Sequence, residues 1–123
     1  MKRIIATSDA PAAIGPYSQA VETNGILFVS GQLPVNPITG EIPSGIEAQT
    51  RQSLENIMAI LKQAGLGPDN VAKTCVLLQH ISDFAAMNAV YAEFFPADKP
   101  ARVCYEVAAL PKGALVEIDA IAG

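Results

Sequence analysis

The fold turns on Arg102-Val103-Cys104-Tyr105-Glu106-Val107 and, after the turn Pro111-Lys112-Gly113-Ala114, on Val116-Glu117-Ile118-Asp119-Ala120-Ile121-Ala122. Strand side chains alternate between faces. In the second segment Val116, Ile118, Ala120 and Ala122 share one face, with Glu117 and Asp119 on the other. In the first, Val103, Tyr105 and Val107 form an apolar face suited to packing helices, with Arg102, Cys104 and Glu106 opposite. Read as a hairpin with an even loop, the two strands keep these parities in step. That reading predicts Arg102, Cys104, Glu106, Glu117 and Asp119 together on the sheet face away from the helices. The large apolar residues Leu110, Leu115 and Ile121 would join them there. A face mixing charges with such residues suits a subunit interface with a polar pocket in it.

Working outward, Ile26-Leu27-Phe28-Val29-Ser30 reads as a buried strand ending at Gly31, and Thr23-Asn24-Gly25 before it as a hairpin turn with Ser18 to Glu22 as partner. Pro34 to Gly45, rich in Pro and Gly, is a loop. Ser44 with Glu47 fits a capping box. Leu54, Ile57, Met58 and Leu61 keep the spacing of one helical face, and Gly65 suits a helix end, so a helix is predicted over Ile46 to Ala64. Val71 to His80 reads as a strand. A second helix follows, capped by Ser82 or Asp83, with Phe84, Met87, Tyr91 and Phe94/Phe95 on its apolar stripe and Pro96 and Pro100 ending it. Arg102 to Leu110 and Leu115 to Ala122 complete a β-β-α-β-α-β-β order, with an extra strand at Ile4-Ile5. The expected class is α+β: a sandwich of a mixed sheet with two helices on one face, in one domain spanning residues 1–123.

Composition narrows the function. Of the 123 residues, 50% are hydrophobic and only 16% charged, and mean hydropathy is +0.30. A chain this apolar is expected to bury surface against other copies of itself. The formal charge is −4, and no Lys/Arg cluster offers a footprint for a phosphate backbone, so nucleic acid is not the expected partner. No apolar run reaches the ~18 residues of a membrane span, and the start resembles no signal peptide, so a cytoplasmic protein is expected. Two cysteines, Cys75 and Cys104, read as free thiols. With the single His80 they fall short of a zinc ligand set.

Charged strand residues are most often a solvated face. The functional alternative makes Arg102 a carboxylate clamp, because its planar fork gives two parallel charge-assisted bonds, with a nearby acid in a half-apolar pocket moving a proton. A thiol nucleophile at Cys104 or Cys75 would need His80 in contact. Tyr17 after Gly15-Pro16, Ser30-Gly31 at a strand end and Asn88 within the second helix are further polar candidates. Each also has a plain packing explanation.

Taken together, Gly15-Pro16-Tyr17-Ser18-Gln19-Ala20, Val29-Ser30-Gly31-Gln32 with Pro34, Gln49-Thr50-Arg51-Gln52-Ser53-Leu54-Glu55-Asn56, Phe84/Asn88/Tyr91/Phe94-Phe95-Pro96, Pro100-Ala101-Arg102-Val103-Cys104 and Val116 to Ala122 resemble, in order, the motifs of the YjgF/YER057c/UK114 (Rid) family. The likeness is nearest to its reactive intermediate deaminase A branch. It implies a chorismate-mutase-like fold and a homotrimer in which three sheets form a central barrel with pockets between subunits. It also implies hydrolysis of 2-imino acids and their enamines, such as 2-iminobutanoate and 2-iminopropanoate, to 2-oxo acids and ammonia. Pyridoxal-phosphate dehydratases would supply the imines, and neither cofactor nor metal would be used.

By the same resemblance Arg102 grips the substrate carboxylate, Glu117 activates water, and Cys104 contributes its backbone carbonyl. Tyr17, Ser30, Gly31 and Asn88 line the pocket. Val103, Tyr105 and Ala109 depart from the family pattern, and the 96–100 rim is short. Two alternatives stand beside the deaminase: a ligand-binding or chaperone-like trimer without hydrolysis, and RNA cleavage.

Overall fold

Thr23 and Ile26 pair across a turn whose central residues, Asn24 (φ 51°) and Gly25 (φ 75°), supply the two positive φ angles that a tight primed hairpin needs. The computed structural model describes residues 1–123, and this hairpin joins β2 (Ala20–Thr23) to β3 (Ile26–Gln32). The short β1 (Arg3–Ile5) pairs antiparallel outside β2. Helix α1 (Ile46–Gln63), β4 (Val71–Leu78), α2 (Phe84–Phe94), β5 (Ala101–Glu106) and β6 (Val116–Ala122) follow. All six strands form one mixed sheet in the order β1-β2-β3-β6-β4-β5. This is the predicted α+β class, a sheet with two helices.

The helices cover one face. Leu54, Ile57, Ile60 and Leu61 of α1 are at most 1% exposed and meet Leu27, Val76, Leu78, Val116 and Ile118 from the sheet. At about 1.5–3 kcal/mol per fully buried aliphatic side chain, this layer is the main source of stability. Ile60 takes the buried place that the periodicity gave to Met58, which is only partly buried. Helix α1 ends in a Schellman arrangement: Leu66 N donates to Leu61 O (2.8 Å), Gly65 N donates to Lys62 O (3.0 Å), and Gly65 has φ 77°. Its start differs from the expected capping box. Gly45 (φ 90°) holds the cap position, and neither Ser44 nor Glu47 closes a side-chain cap there.

The larger correction concerns the last two strands, which do not form a hairpin. β4 lies between them, parallel to β5 and antiparallel to β6. A strand–helix–strand unit favours a parallel return, and β4-α2-β5 follows that rule. The inserted strand also reverses the inferred facing of β5. Thr74↔Arg102 and Val76↔Cys104 are paired with Ile118↔Val76 and Ala120↔Thr74, so Arg102 and Cys104 face the helices. Glu106 shares their parity, and its Oε1 accepts from Ile81 N at 2.8 Å. Val103 and Tyr105, expected to face the helices, lie on the open face at 43% and 51% exposure. Glu117 and Asp119 lie on the open face, as their own strand pattern predicts.

Candidate functional site

Two groups of polar residues emerge where the sequence pattern suggested one. The first surrounds a cavity of about 780 Å³ beside the end of β3. Between Val29↔Ala120 and Gln32↔Ile118 the register of β3 against β6 slips by one residue. This β-bulge at Ser30-Gly31 re-aims the strand, as bulges near functional sites do. Ser30 Oγ donates to Ser18 O (2.6 Å) and Ser30 N donates to Gln19 O (2.9 Å), which ties the Tyr17 segment to the bulge. Gln19 is itself buried, and its side chain fastens Thr7, Ala10 and Pro11 by their backbones. Tyr17, Ser30, Gly31 and Glu117 therefore line one cavity, together with Leu33, Val35, Pro111 and Lys112.

Gly31 leaves room for the Glu117 side chain. A Cβ there would collide with Glu117 Oε2 and stand 3.0 Å from Cδ and 3.3 Å from Cγ. The carboxylate thus lies directly over the bulge backbone. Burial, and next the Asp119 charge, push the Glu117 pKa up. Burial also raises Asp119, against the backbone hydrogen bond from Cys75 and the charge of Lys73. An acid so placed is poised to exchange protons closer to neutrality than a free carboxylate.

The second group lies on the opposite sheet face, where α2 packs over the β5 edge. Arg102 Nη1 donates to Asn88 Oδ1 at 2.7 Å. Its Cζ stands 4.8 Å from the Tyr91 ring centroid and 5.5 Å from that of Phe84. Tyr91 is in turn fixed by a 2.7 Å hydrogen bond between its hydroxyl and Thr74 Oγ1. Neither ion pair of the chain, Arg3–Glu22 nor Arg51–Glu93, involves Arg102. The guanidinium is oriented by a neutral amide and two rings, and its charge is uncompensated, which suits a carboxylate ligand. Cys104 sits one pair further along the same face, packed against the core.

Of the predicted site residues, then, Tyr17, Ser30, Gly31 and Glu117 are together, and Arg102, Asn88 and Cys104 are together. The sheet separates the two groups, so within one chain Arg102 does not share a face with Glu117. The thiol route loses ground. Burial, more than any neighbouring charge, raises the Cys75 and Cys104 thiols, and a raised pKa withholds the reactive thiolate. No three His, Cys, Asp or Glu side chains converge to hold a metal ion, and no helix is long and apolar enough to cross a membrane. Lys112 was read only as a turn residue, but it lines the cavity in a left-handed conformation (φ 59°). A non-glycine Lys before Gly113 at a turn was the available signal.

Comparison with known proteins agrees with this architecture. The family model described as Endoribonuclease L-PSP matches residues 7–123. A RutC family protein of Pasteurella multocida is 55% identical over 126 residues, covering 99% of this chain and 98% of its own. The 2-iminobutanoate/2-iminopropanoate deaminase of Escherichia coli K12 is 51% identical over 125 residues, with 99% and 98% covered. The crystal structure of E. coli TdcF with bound serine superposes with a TM-score of 0.95 at 48% identity, covering 98% of this chain and 97% of that one. The motifs, the sheet order and these matches coincide over almost the whole sequence, and the chain belongs to the Endoribonuclease L-PSP family, the YjgF/Rid family that its sequence resembles.

Proposed function

We propose that this protein hydrolyses small 2-imino acids, such as 2-iminobutanoate and 2-iminopropanoate, to 2-oxo acids and ammonia. The pocket would lie between two copies of the chain in a homotrimer. The observation that carries the reading is the pair of complementary half-sites on opposite sheet faces: an uncompensated guanidinium held by Asn88, and a half-buried acid with a raised pKa over the Gly31 bulge. One copy cannot join them, whereas a second copy against the open face can. That face presents Ile4, Phe28, Val103 and Tyr105, each at least 43% exposed, which is ample apolar surface for an interface. Three copies arranged this way would place three sheets inside and the helices outside.

The chemistry follows from the two halves. Arg102 binds the substrate carboxylate with two parallel charge-assisted bonds, while Asn88 keeps the fork in place. The protonated imine carbon is already electrophilic. Glu117 orients a water and takes its proton as oxygen bonds to that carbon, giving a carbinolamine. The same carboxyl returns the proton to the amino nitrogen, and the C–N bond breaks with its electron pair leaving on ammonia. The freed Glu117 carboxylate takes the hydroxyl proton as the C=O bond forms and passes it to the departing ammonia, leaving a 2-oxo acid. Tyr17, Ser30, the Gly31 backbone and the Cys104 carbonyl line the space around the reacting atoms. Orientation and proton transfer suffice for such a step. Pyridoxal-phosphate dehydratases acting on threonine or serine are the reactions that would supply the imine. The name of the E. coli relative and the serine bound in its TdcF counterpart support a small amino-acid-like ligand. The formal charge of −4 tells against RNA as substrate.

The test couples a threonine dehydratase to this protein and follows 2-oxobutanoate release. Micromolar protein is expected to accelerate release. Arg102→Ala is expected to lose about 10- to 150-fold, the worth of a hydrogen bond to a charged group, while light scattering still reports a trimer. No acceleration by the wild-type chain, or full activity without Arg102, would overturn the assignment.

A further inference from the structure

The α1 motif Gln49 to Asn56 has no part in the reaction just described, yet it carries four buried polar residues. Gln49, Thr50, Ser53 and Asn56 are all at most 5% exposed. Apolar side chains of the same size would bury at lower cost, so two buried amides call for an explanation. Their partners supply it. Asn56 Nδ2 donates to Leu33 O (3.1 Å) and Val35 O (3.0 Å), and Asn56 Oδ1 accepts from Gln52 Nε2 (2.9 Å). Two helical turns earlier on the same face, Gln49 Nε2 donates to Pro43 O (3.0 Å) and Gln49 Oε1 accepts from Leu115 N (2.8 Å).

These four backbone groups belong to the two irregular segments that border the cavity. The segment between β3 and α1 folds on itself mainly through Asn36: Asn36 N donates to Glu41 O, Gly40 N donates to Asn36 O, and Asn36 Oδ1 accepts from Ile38 N and Thr39 N, with Glu41 N donating to Thr39 Oγ1 besides. Asn56 anchors its beginning and Gln49 its end. Leu33, Val35 and Pro37 of this segment form the apolar wall of the cavity, and Pro111 and Lys112 border it from the other segment. Gln49 is the one side chain bonded to both. Hydrogen bonds are directional where hydrophobic contact is not, so these amides fix where the walls stand.

We infer that Gln49 and Asn56 are positioning residues that set the width of the cavity and thereby the size of substrate side chain it accepts. The activity readout rests on the deaminase reading, and the structural readout does not. Three variants separate the bonds. Gln49→Glu keeps the acceptor for Leu115 N and removes the donor to Pro43 O. Gln49→Met removes both at similar volume. Asn56→Asp removes both donors at the same shape. Ser53→Ala is the control, equally buried on the same helix face but bonded to neither segment.

The imines derived from alanine and leucine are compared by kcat and KM, and amide hydrogen exchange is followed through residues 33–45 and 111–115. Gln49→Met and Asn56→Asp are expected to narrow the preference for the smaller imine by about fivefold or more, chiefly through KM. Exchange in both segments should quicken about tenfold while the helix core stays protected. Gln49→Glu should quicken exchange at 33–45 alone, and Ser53→Ala should change neither readout. Unchanged selectivity and exchange in the folded variants would overturn the inference, as would an equal loss on both imines with exchange unaltered. If Asn56→Asp does not fold, the two Gln49 variants decide. If the wild-type chain deaminates neither imine, the proposed function falls. Exchange, with the affinity of wild type and variants for serine and for leucine, then decides the inference alone.

Discussion

Gly31→Ala isolates the contribution of Glu117 placement without touching a charged group. The new Cβ would stand 3.0 Å from Glu117 Cδ and collide with Oε2. Carbon–carbon contact is comfortable at about 3.5–4.0 Å, so Cδ must retreat by roughly 0.5–1 Å and the carboxylate oxygen by more. Gly31 is not held at positive φ, and the obstructing atoms are the end of a flexible side chain. The fold should absorb the change for about 1 kcal/mol, the low end of overpacking costs. A displacement near 1 Å at a proton-transferring group costs about 100-fold in rate. The expected result in the dehydratase-coupled assay is a kcat/KM lower by about that factor with assembly and melting nearly unchanged. In a Glu117→Gln background the same substitution should cost little more, because both changes remove one function. Wild-type activity in Gly31→Ala, or full additivity with Glu117→Gln, would refute the role given to the carboxylate over the bulge.

Asp119→Asn removes the charge that, after burial, raises the Glu117 pKa. In the proposed mechanism Glu117 works as its carboxylate, so the acid limb of the pH–rate profile should move to lower pH; an unchanged or upward-shifted limb would contradict the coupling. For stability the sign is opposite to that of a salt-bridged acid. A raised native pKa means the folded state holds its proton more tightly than the unfolded one, so this contribution is present below the ordinary carboxylate pKa and is lost as pH rises through the raised values of Glu117 and Asp119. Denaturation midpoints should therefore depend less on pH in Asp119→Asn than in wild type across that window. Ser53 Oγ is buried without a hydrogen-bond partner. Ser53→Ala should stabilise by about 1 kcal/mol through relief of that orphaned hydroxyl and better helix propensity. This corresponds to a rise of about 4 °C in Tm at fixed protein concentration, and a fall would mean the hydroxyl is satisfied in solution.

Element positions were legible because periodicity and turn chemistry are local. The Asn24-Gly25 hairpin, the Gly65 helix end and the alternation of Val116 to Ala122 each appear in the structure where the residues place them. β6 was read correctly because one face is wholly apolar, Val116, Ile118, Ala120 and Ala122, while the other carries both charges, Glu117 and Asp119, with Ile121. β5 was not, because its charged side, Arg102 and Glu106 with Cys104, is the side that turns towards the helices. Alternation separates two faces but does not say which lies inside. Val103 and Tyr105 made the more plausible inner face only if the outer face met water. The pairing error had the same local origin, since a short link between strands suggests a hairpin, while the helix between β4 and β5 carried the opposing signal for a parallel pair. For the site, Tyr17, Ser30, Gly31 and Glu117 form one group, but no strand pattern could reveal that Arg102 reaches across to Asn88 on α2.

The misreading of β5 and the proposed assembly have one physical cause. A strand can turn Arg102 towards the helix layer only if that layer offers something other than aliphatic packing, and α2 offers Asn88 and the faces of Tyr91 and Phe84. Val103 and Tyr105 are then left on the open face beside Cys75 and Leu77, with Phe28 and Ile4 further along the sheet. Neither arrangement is economical for an isolated chain: it leaves a cation without a counter-charge near the core and large apolar side chains in water. Both are resolved by the same event. A second copy laid on the open face would cover the apolar residues and bring the Glu117 cavity of one chain to the Arg102 edge of another. A carboxylate substrate would then complete the guanidinium. On this reasoning assembly and site formation are one step, and a substitution that keeps the chain monomeric, such as Phe28→Lys on the open face, should abolish catalysis while leaving the helix–sheet core folded.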